Sequence, residues 1–177
     1  MTTHYEKIIT AQSTAVRTNI IHDVKHTIAD IKCDMDSVIK YSTDIIHWLK
    51  PIINLTDFYV YPMNGITEGL NWWYYREPRA VTTKIGDYQW IEPKPGKDCI
   101  LYLSVPSAIN GNVIDIPNFI PTAVDLAYVG STKIKQIKIS KNTEYVFYSL
   151  SKSFGIRNVR TGWFFTKQPD QKLENLT

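Results

Sequence analysis

Between residues 58 and 166 the chain alternates short β-branched and aromatic runs with turns and with helical or irregular stretches, and few architectures accept that alternation. Phe58-Tyr59-Val60-Tyr61 is the first run, and Pro62-Met63-Asn64-Gly65 turns out of it. Ala80 to Ile91 reads as a strand and turn. Ile100 to Val105 reads as a buried strand, closed by Pro106 and the loop Ser107-Ala108-Ile109-Asn110-Gly111. Val124 to Val129 gives a further strand. Lys133 to Ser140 leads into another over Tyr145 to Leu150, and Thr161 to Thr166 leads out of it. Runs so spaced predict an α/β fold: a mostly parallel sheet flanked by helices.

Ahead of the sheet, from about Thr18 to Lys50, Ile20, Ile21, Val24, Ile28, Ile31, Met35, Val38, Ile39, Ile45, Ile46 and Leu49 recur at helical spacing. That spacing predicts two helices, broken near Cys33 or Tyr41 and ended by Pro51. His22 and His26 share a helix face at metal-ligand spacing, but no third ligand follows, so exposed polar positions are expected and no metal. The organisation expected is one domain over 1–177, with a helical segment at 1–50, an α/β core at 51–168 and a polar tail at 169–177.

At 177 residues and 44% apolar content the chain can bury one real core, and two domains would be cramped. The net charge is +3, and Lys133, Lys135, Lys138 and Lys141 interleave with Ile134, Ile137 and Ile139 as a solvated face does. No nucleic-acid partner is expected. Cys33 and Cys99 are too few and too far apart for a disulfide scaffold or a zinc ribbon, so reduced thiols in a cytoplasmic setting are expected. No apolar run reaches the length of a membrane span, and Met1 to Thr14 is polar, so no membrane partner is expected either.

The chemistry concentrates after the strand that ends near Leu150. Ser149, Ser151 and Lys152 stand together there, followed by Gly155 and Arg160. An amine beside small hydroxyls, with a guanidinium downstream, suits attack on a carbonyl while a phosphate is gripped; a polar turn between strands is the plain alternative. Upstream, Asp125 and Tyr128 flank the end of a strand, where a turn acid or helix cap is the bland reading. Gly65-Ile66-Thr67 joins a strand to a helix start, whose first N–H groups are unpaired and attract anions.

Ser149-x-Ser151-Lys152, with Gly155 and Arg160 at fixed distances beyond, resembles the cofactor-lysine motif of the fold type I aminotransferases, which use pyridoxal 5'-phosphate (PLP). Asp125-Leu126-Ala127-Tyr128 is similar to that family's Asp-x-Ala-Tyr. The resemblance implies that Lys152 forms the aldimine, or Schiff base, with PLP, and that Ser149 and Arg160 hold the phosphate. Asp125 would pair with the pyridine nitrogen, and the Tyr128 hydroxyl would meet the ring oxygen. Gly65, Ile66 and Thr67 look like the family's Gly-Ala-Thr phosphate loop. Tyr88 is the expected ring that stacks on the cofactor and Trp90 the second choice, although core packing suits either.

The resemblance covers roughly Phe58 to Thr166 and implies the family's large domain, its sheet carrying one antiparallel strand and PLP at the strand ends. Two departures stand out. Where the family has Asn-Pro-Thr-Gly, the register here puts Ala108, leaving Asn110 as the amide within reach of the ring oxygen. The family also continues into a smaller C-terminal domain bearing the arginine that clamps the substrate carboxylate; the sequence shows no counterpart, and Arg17, Arg76, Arg79 and Arg157 are the substitutes it offers. The expected function is an aminotransferase moving an amino group between an amino acid and a 2-oxo acid. The alternatives are another PLP reaction, such as that of a lyase or decarboxylase, or a reduced PLP-fold protein that binds cofactor or a partner without turnover. By the same resemblance a homodimer is expected, with Met1 to Gln12 an arm across the partner and part of the Trp72-Trp73-Tyr74-Tyr75 run facing it.

Overall fold

The structure is a computed structural model, and it describes residues 44–84, 87, 88, 90–131, 136–153 and 160–175. The expected arm and most of the N-terminal helices, with Arg17, His22, His26 and Cys33, lie outside the described residues, as do Lys133 to Lys135, Gly155 and Arg157. Helix α1 is described over 44–49 and stops at Pro51 as the sequence predicts, with Ile52 and Ile53 N–H both donating to the Leu49 carbonyl.

The elements that follow are β1 (Tyr59–Met63), α2 (Ile66–Arg76), β2 (Ala80–Thr83), β3 (Cys99–Ser104), β4 (Thr122–Asp125), β5 (Thr143–Ser149), α3 (Leu150–Ser153), β6 (Gly162–Thr166) and α4 (Gln171–Glu174). The six strands form one sheet in the order β1-β6-β5-β4-β3-β2. Strands β2 to β5 pair in parallel, while β6 runs antiparallel to both β5 and β1. The sheet is therefore mostly parallel with one reversed strand, as expected.

Both faces are covered, which explains why the strands read as nearly continuous apolar runs. Along β5 and β6, Val146, Tyr148, Trp163 and Phe165 face one layer with Leu49, Ile53 and Leu55. Phe147 and Phe164 alternate to the other layer, against Leu70 and Trp73 of α2. Three large rings meet there, Phe147 and Phe164 stacked with centroids 5.2 Å apart and Trp73 tilted against Phe147 at 5.7 Å.

Several expectations need correction. The strand expected over Val124–Val129 is Thr122–Asp125. Leu126 N–H still bonds the Phe147 carbonyl, but Val129 and Ser131 N–H then close turns onto Leu126 and Tyr128. A buried apolar turn and a buried strand have the same composition, so periodicity could not separate them. The polar tail holds a helical turn, α4, capped by Asp170, whose Oδ1 accepts from Lys172 N at 3.1 Å and Leu173 N at 3.3 Å, with Leu173 buried. Of the four successive rings only Tyr75 stands well out in solvent: Trp73 is in the core, Trp72 Nε1 donates to Asp170 Oδ2 at 2.7 Å, and the Tyr74 hydroxyl donates to the Glu92 carbonyl at 3.1 Å. No helix among the described residues is long and apolar enough to cross a membrane.

What this fold does for the chemistry is set by register. Ser104 pairs with Asp125, Asp125 with Phe147, and Ser149 with Gly162, which also pairs with Met63. The carboxyl ends of the parallel strands thus share one edge, where open α/β sheets bind their ligands.

Candidate functional site

At that edge β1 turns into α2 through Gly65, at φ 81° and ψ 170°. Gly65 offers no side chain to cap the helix, and the positive φ is one that other residues rarely adopt. The first amides of α2, those of Ile66 and Thr67, carry the positive end of the helix dipole. Arg160 lies against the same turn: a Cβ on Gly65 would come within 3.1 Å of Arg160 Nη2. Gly162 packs from the other side, where a Cβ would sit 2.8 Å from the Gly65 carbonyl carbon. Exposed guanidinium and bare amides together form an anion cradle.

Next along the edge stands Asp125, the last residue of β4 and only 2% exposed. Its Oδ2 accepts from the Tyr102 hydroxyl at 2.7 Å and its Oδ1 from Ala127 N–H at 2.7 Å. Burial pushes its pKa above the ordinary aspartate value; the Tyr102 phenol, the Ala127 amide and the Lys152 ammonium pull it back, and the Asp87 carboxylate pushes it up again.

Lys152, on α3 directly after β5, holds its Nζ 4.0 Å from the Tyr128 ring centroid and 5.4 Å from that of Tyr88. Amine, two phenols and buried acid, drawn from three segments far apart in sequence, therefore meet at one place. Ser149 is buried at the end of β5 and Ser151 half-buried beside the lysine, so both stand in the strand-to-helix turn that presents it.

Two predicted residues sit differently. Asn110 is exposed, and its Oδ1 accepts from Asn112 N–H at 3.0 Å, which engages the amide oxygen within its own loop. Trp90 is exposed and donates from Nε1 to Asn71 at 3.0 Å, leaving Tyr88 as the ring beside the lysine. Arg76 and Arg79 lie at the opposite, amino edge of the sheet, pairing with Asp170 and with Glu77 and Glu144.

Two residues of this edge escaped sequence reasoning. Tyr102 is hidden in the apolar run of β3, and only the register with β4 brings its hydroxyl to Asp125. Asp87 is buried in the turn after β2. Because β2 ends opposite Tyr102, the Ser104 N–H has no neighbour in β2, and Asp87 Oδ2 accepts from it at 2.9 Å while Oδ1 accepts from Tyr88 N–H at 2.9 Å. An acid directly before the expected stacking ring was the available signal.

Solved structures show the same architecture. Histidinol-phosphate aminotransferase from Clostridium acetobutylicum matches with a TM-score of 0.58 and 12% identity, over 92% of this chain and 61% of its own. A PLP-bound aminotransferase-type protein from Clostridium difficile 630 matches at 0.59 and 14%, over 90% and 55%. Substrate-bound BacF from Bacillus subtilis matches at 0.54 and 15%, over 76% and 47%. This is the large-domain fold of the fold type I aminotransferases. The chain spans 47% to 61% of the length of these three structures. No family model matches it, and no curated protein matches it.

In this aminotransferase large-domain fold the residues at the edge suit a ligand with three features. The cradle of Gly65, Ile66, Thr67 and Arg160 fits a phosphate, Asp125 fits a protonated ring nitrogen, and Lys152 fits an aldehyde. Tyr88 and Tyr128 supply flat faces beside the amine.

Proposed function

We propose that this chain binds PLP at the carboxyl edge of its sheet and, as a homodimer, moves amino groups between amino acids and 2-oxo acids. The observation that carries the reading is the meeting of Lys152, Asp125, Tyr128 and Tyr88 beside a glycine turn backed by Arg160. A purely structural domain has no physical need to bury a carboxylate facing an ammonium at a sheet edge.

When bound, PLP supplies an aldehyde for the substrate amine and a protonated ring that draws electron density from the substrate carbon. Asp125 would keep that ring charged, and its burial would strengthen the pairing by excluding water. Lys152 Nζ would hold the cofactor's aldehyde and, once released by the substrate amine, would serve as the general base and acid that takes up and returns the substrate's proton. Tyr128 tunes the ring oxygen through its hydroxyl. Ser149, Ser151, Thr67 and the α2 amides share the phosphate with Arg160.

A second reading, cofactor binding without efficient turnover, has a specific observation behind it. Among the described residues Arg160 is the one arginine at this edge, so none of the other described arginines is placed to hold a substrate carboxylate. One titration separates the readings. Purified protein mixed with PLP is expected to develop a visible absorbance band that Lys152→Ala abolishes, and borohydride treatment should leave a pyridoxyl group on Lys152. Loss of the band on adding an amino acid supports amino transfer; a band indifferent to every amino acid supports the second reading. A colourless mixture sinks both.

A further inference from the structure

Tyr102 is fully buried in the middle of the sheet, its ring stacked on Trp73 with centroids 6.1 Å apart, and its hydroxyl donates to Asp125 Oδ2 at 2.7 Å. Either residue could be there for the other. Phenylalanine would fill the same space without any polar requirement, whereas a buried carboxylate cannot stay charged without donors. The dependence therefore runs from Asp125 to Tyr102. A carboxylate offers about four lone-pair directions. Tyr102 and the Ala127 amide occupy one on each oxygen, which fixes the plane of the group and leaves directions open for a ligand.

We propose that Tyr102 is a positioning residue: its hydroxyl locks the orientation of the Asp125 carboxylate and keeps it charged, poised to pair with a protonated ring nitrogen. The proposal rests on the PLP reading above. Asp125 feels Tyr102 from β3, Lys152 from α3 and Asp87 from the turn after β2, while α2 brings apolar Leu70 and Trp73 to the same face. Tyr102 and Lys152 favour the carboxylate, and Asp87 opposes it. A proton shared between ring nitrogen and carboxyl sits on the more basic partner. By donating, Tyr102 makes Asp125 less basic and leaves the proton on the ring, where it draws electrons.

The test reads Asp125 directly. In cofactor-free protein labelled with carbon-13 at the aspartate carboxyls, Tyr102→Phe is expected to raise the Asp125 titration midpoint by about one pH unit, a tenfold gain in proton affinity. In PLP-loaded protein the same variant should bind cofactor about tenfold more weakly and shift the pH midpoint of the visible band. If Tyr102→Phe does not fold, 3-fluorotyrosine placed at position 102, a stronger donor, should lower the Asp125 midpoint instead. An unmoved Asp125 midpoint in a folded variant overturns the proposal while leaving PLP binding intact. Failure of the wild-type protein to bind PLP at all removes the ring that Asp125 is held for, and overturns both.

Discussion

Arg79 shows how residue-scale geometry decides a role that sequence position leaves open. Its guanidinium forks between Glu77, at 2.7 Å and 2.9 Å, and Glu144, at 3.1 Å and 2.6 Å. The cluster stands at the amino edge, far from Asp125, so Arg79 ties the start of β2 to the start of β5 and is not placed to hold a substrate. Burial pushes the Glu77 carboxyl up, and the Arg79 bonds outweigh that, so its folded pKa lies below its unfolded one. Such a group stabilises the fold above the unfolded value, about pH 4.3, and that contribution is lost as pH falls through the folded value. Arg79→Ala leaves a buried carboxylate without its partner, which is expected to cost about 3 kcal/mol at pH 7. Urea unfolding should show the deficit shrinking as pH drops below about 4; an equal deficit at both ends would refute the pairing account. Lys152 and Arg160 were legible in the sequence because their spacing is fixed along one stretch of chain. Tyr102 was not, because its partner is chosen by strand register.

Among the elements, the junction of β1, α2 and β6 governs the anion cradle. Gly162 matters there for space: a Cβ would lie 2.8 Å and 2.9 Å from the carbonyl carbon and Cα of Gly65, which are backbone atoms that cannot rotate away. Gly162→Ala must push the Gly65 turn off the sheet, costing about 1–3 kcal/mol by overpacking and moving the amides that would hold a phosphate. Gly69 provides the control, since a Cβ there meets Phe147 and Phe164 side chains at 3.4 Å, near ordinary contact, and alanine favours a helix by about 1 kcal/mol. Thermal melts with and without PLP should rank Gly69→Ala near wild type and Gly162→Ala well below it, with weakened cofactor binding; indistinguishable variants would show that the turn can relax. The strands were readable because apolar runs bounded by turns have few other fates. Their ends were less so: β4 stops at Asp125 because the chain bends there, and α4 was missed because one helical turn carries too little periodicity to stand out.

For the whole molecule, a list of six strands does not dictate the order β1-β6-β5-β4-β3-β2, since connection lengths allow several. The resemblance anticipated the single reversed strand, and the sheet has it. Between β3 and β4 the chain leaves the site edge in an irregular segment that exposes Ile109 at 58%, Val113 at 46% and Phe119 at 84%. Large exposed apolar residues along one connection are the kind of surface that a second copy would cover. Ile109, five residues past β3, lies towards the carboxyl edge of the sheet and Phe119, three before β4, towards the amino edge, so a second copy covering this connection would reach the Asp125 edge only at its Ile109 end; a stable interface needs about 800 Å² from each copy. Light scattering on the eluting peak should therefore give twice the 20.4 kDa chain mass. Phe119→Lys, which replaces the most exposed of these side chains with a charge, should weaken the dimer by at least about tenfold and shift the peak towards the single-chain mass at low concentration. A wild-type peak that stays at the single-chain mass at high concentration would rule out the shared interface, and the Asp125 edge would then have to exclude water with the residues of one chain.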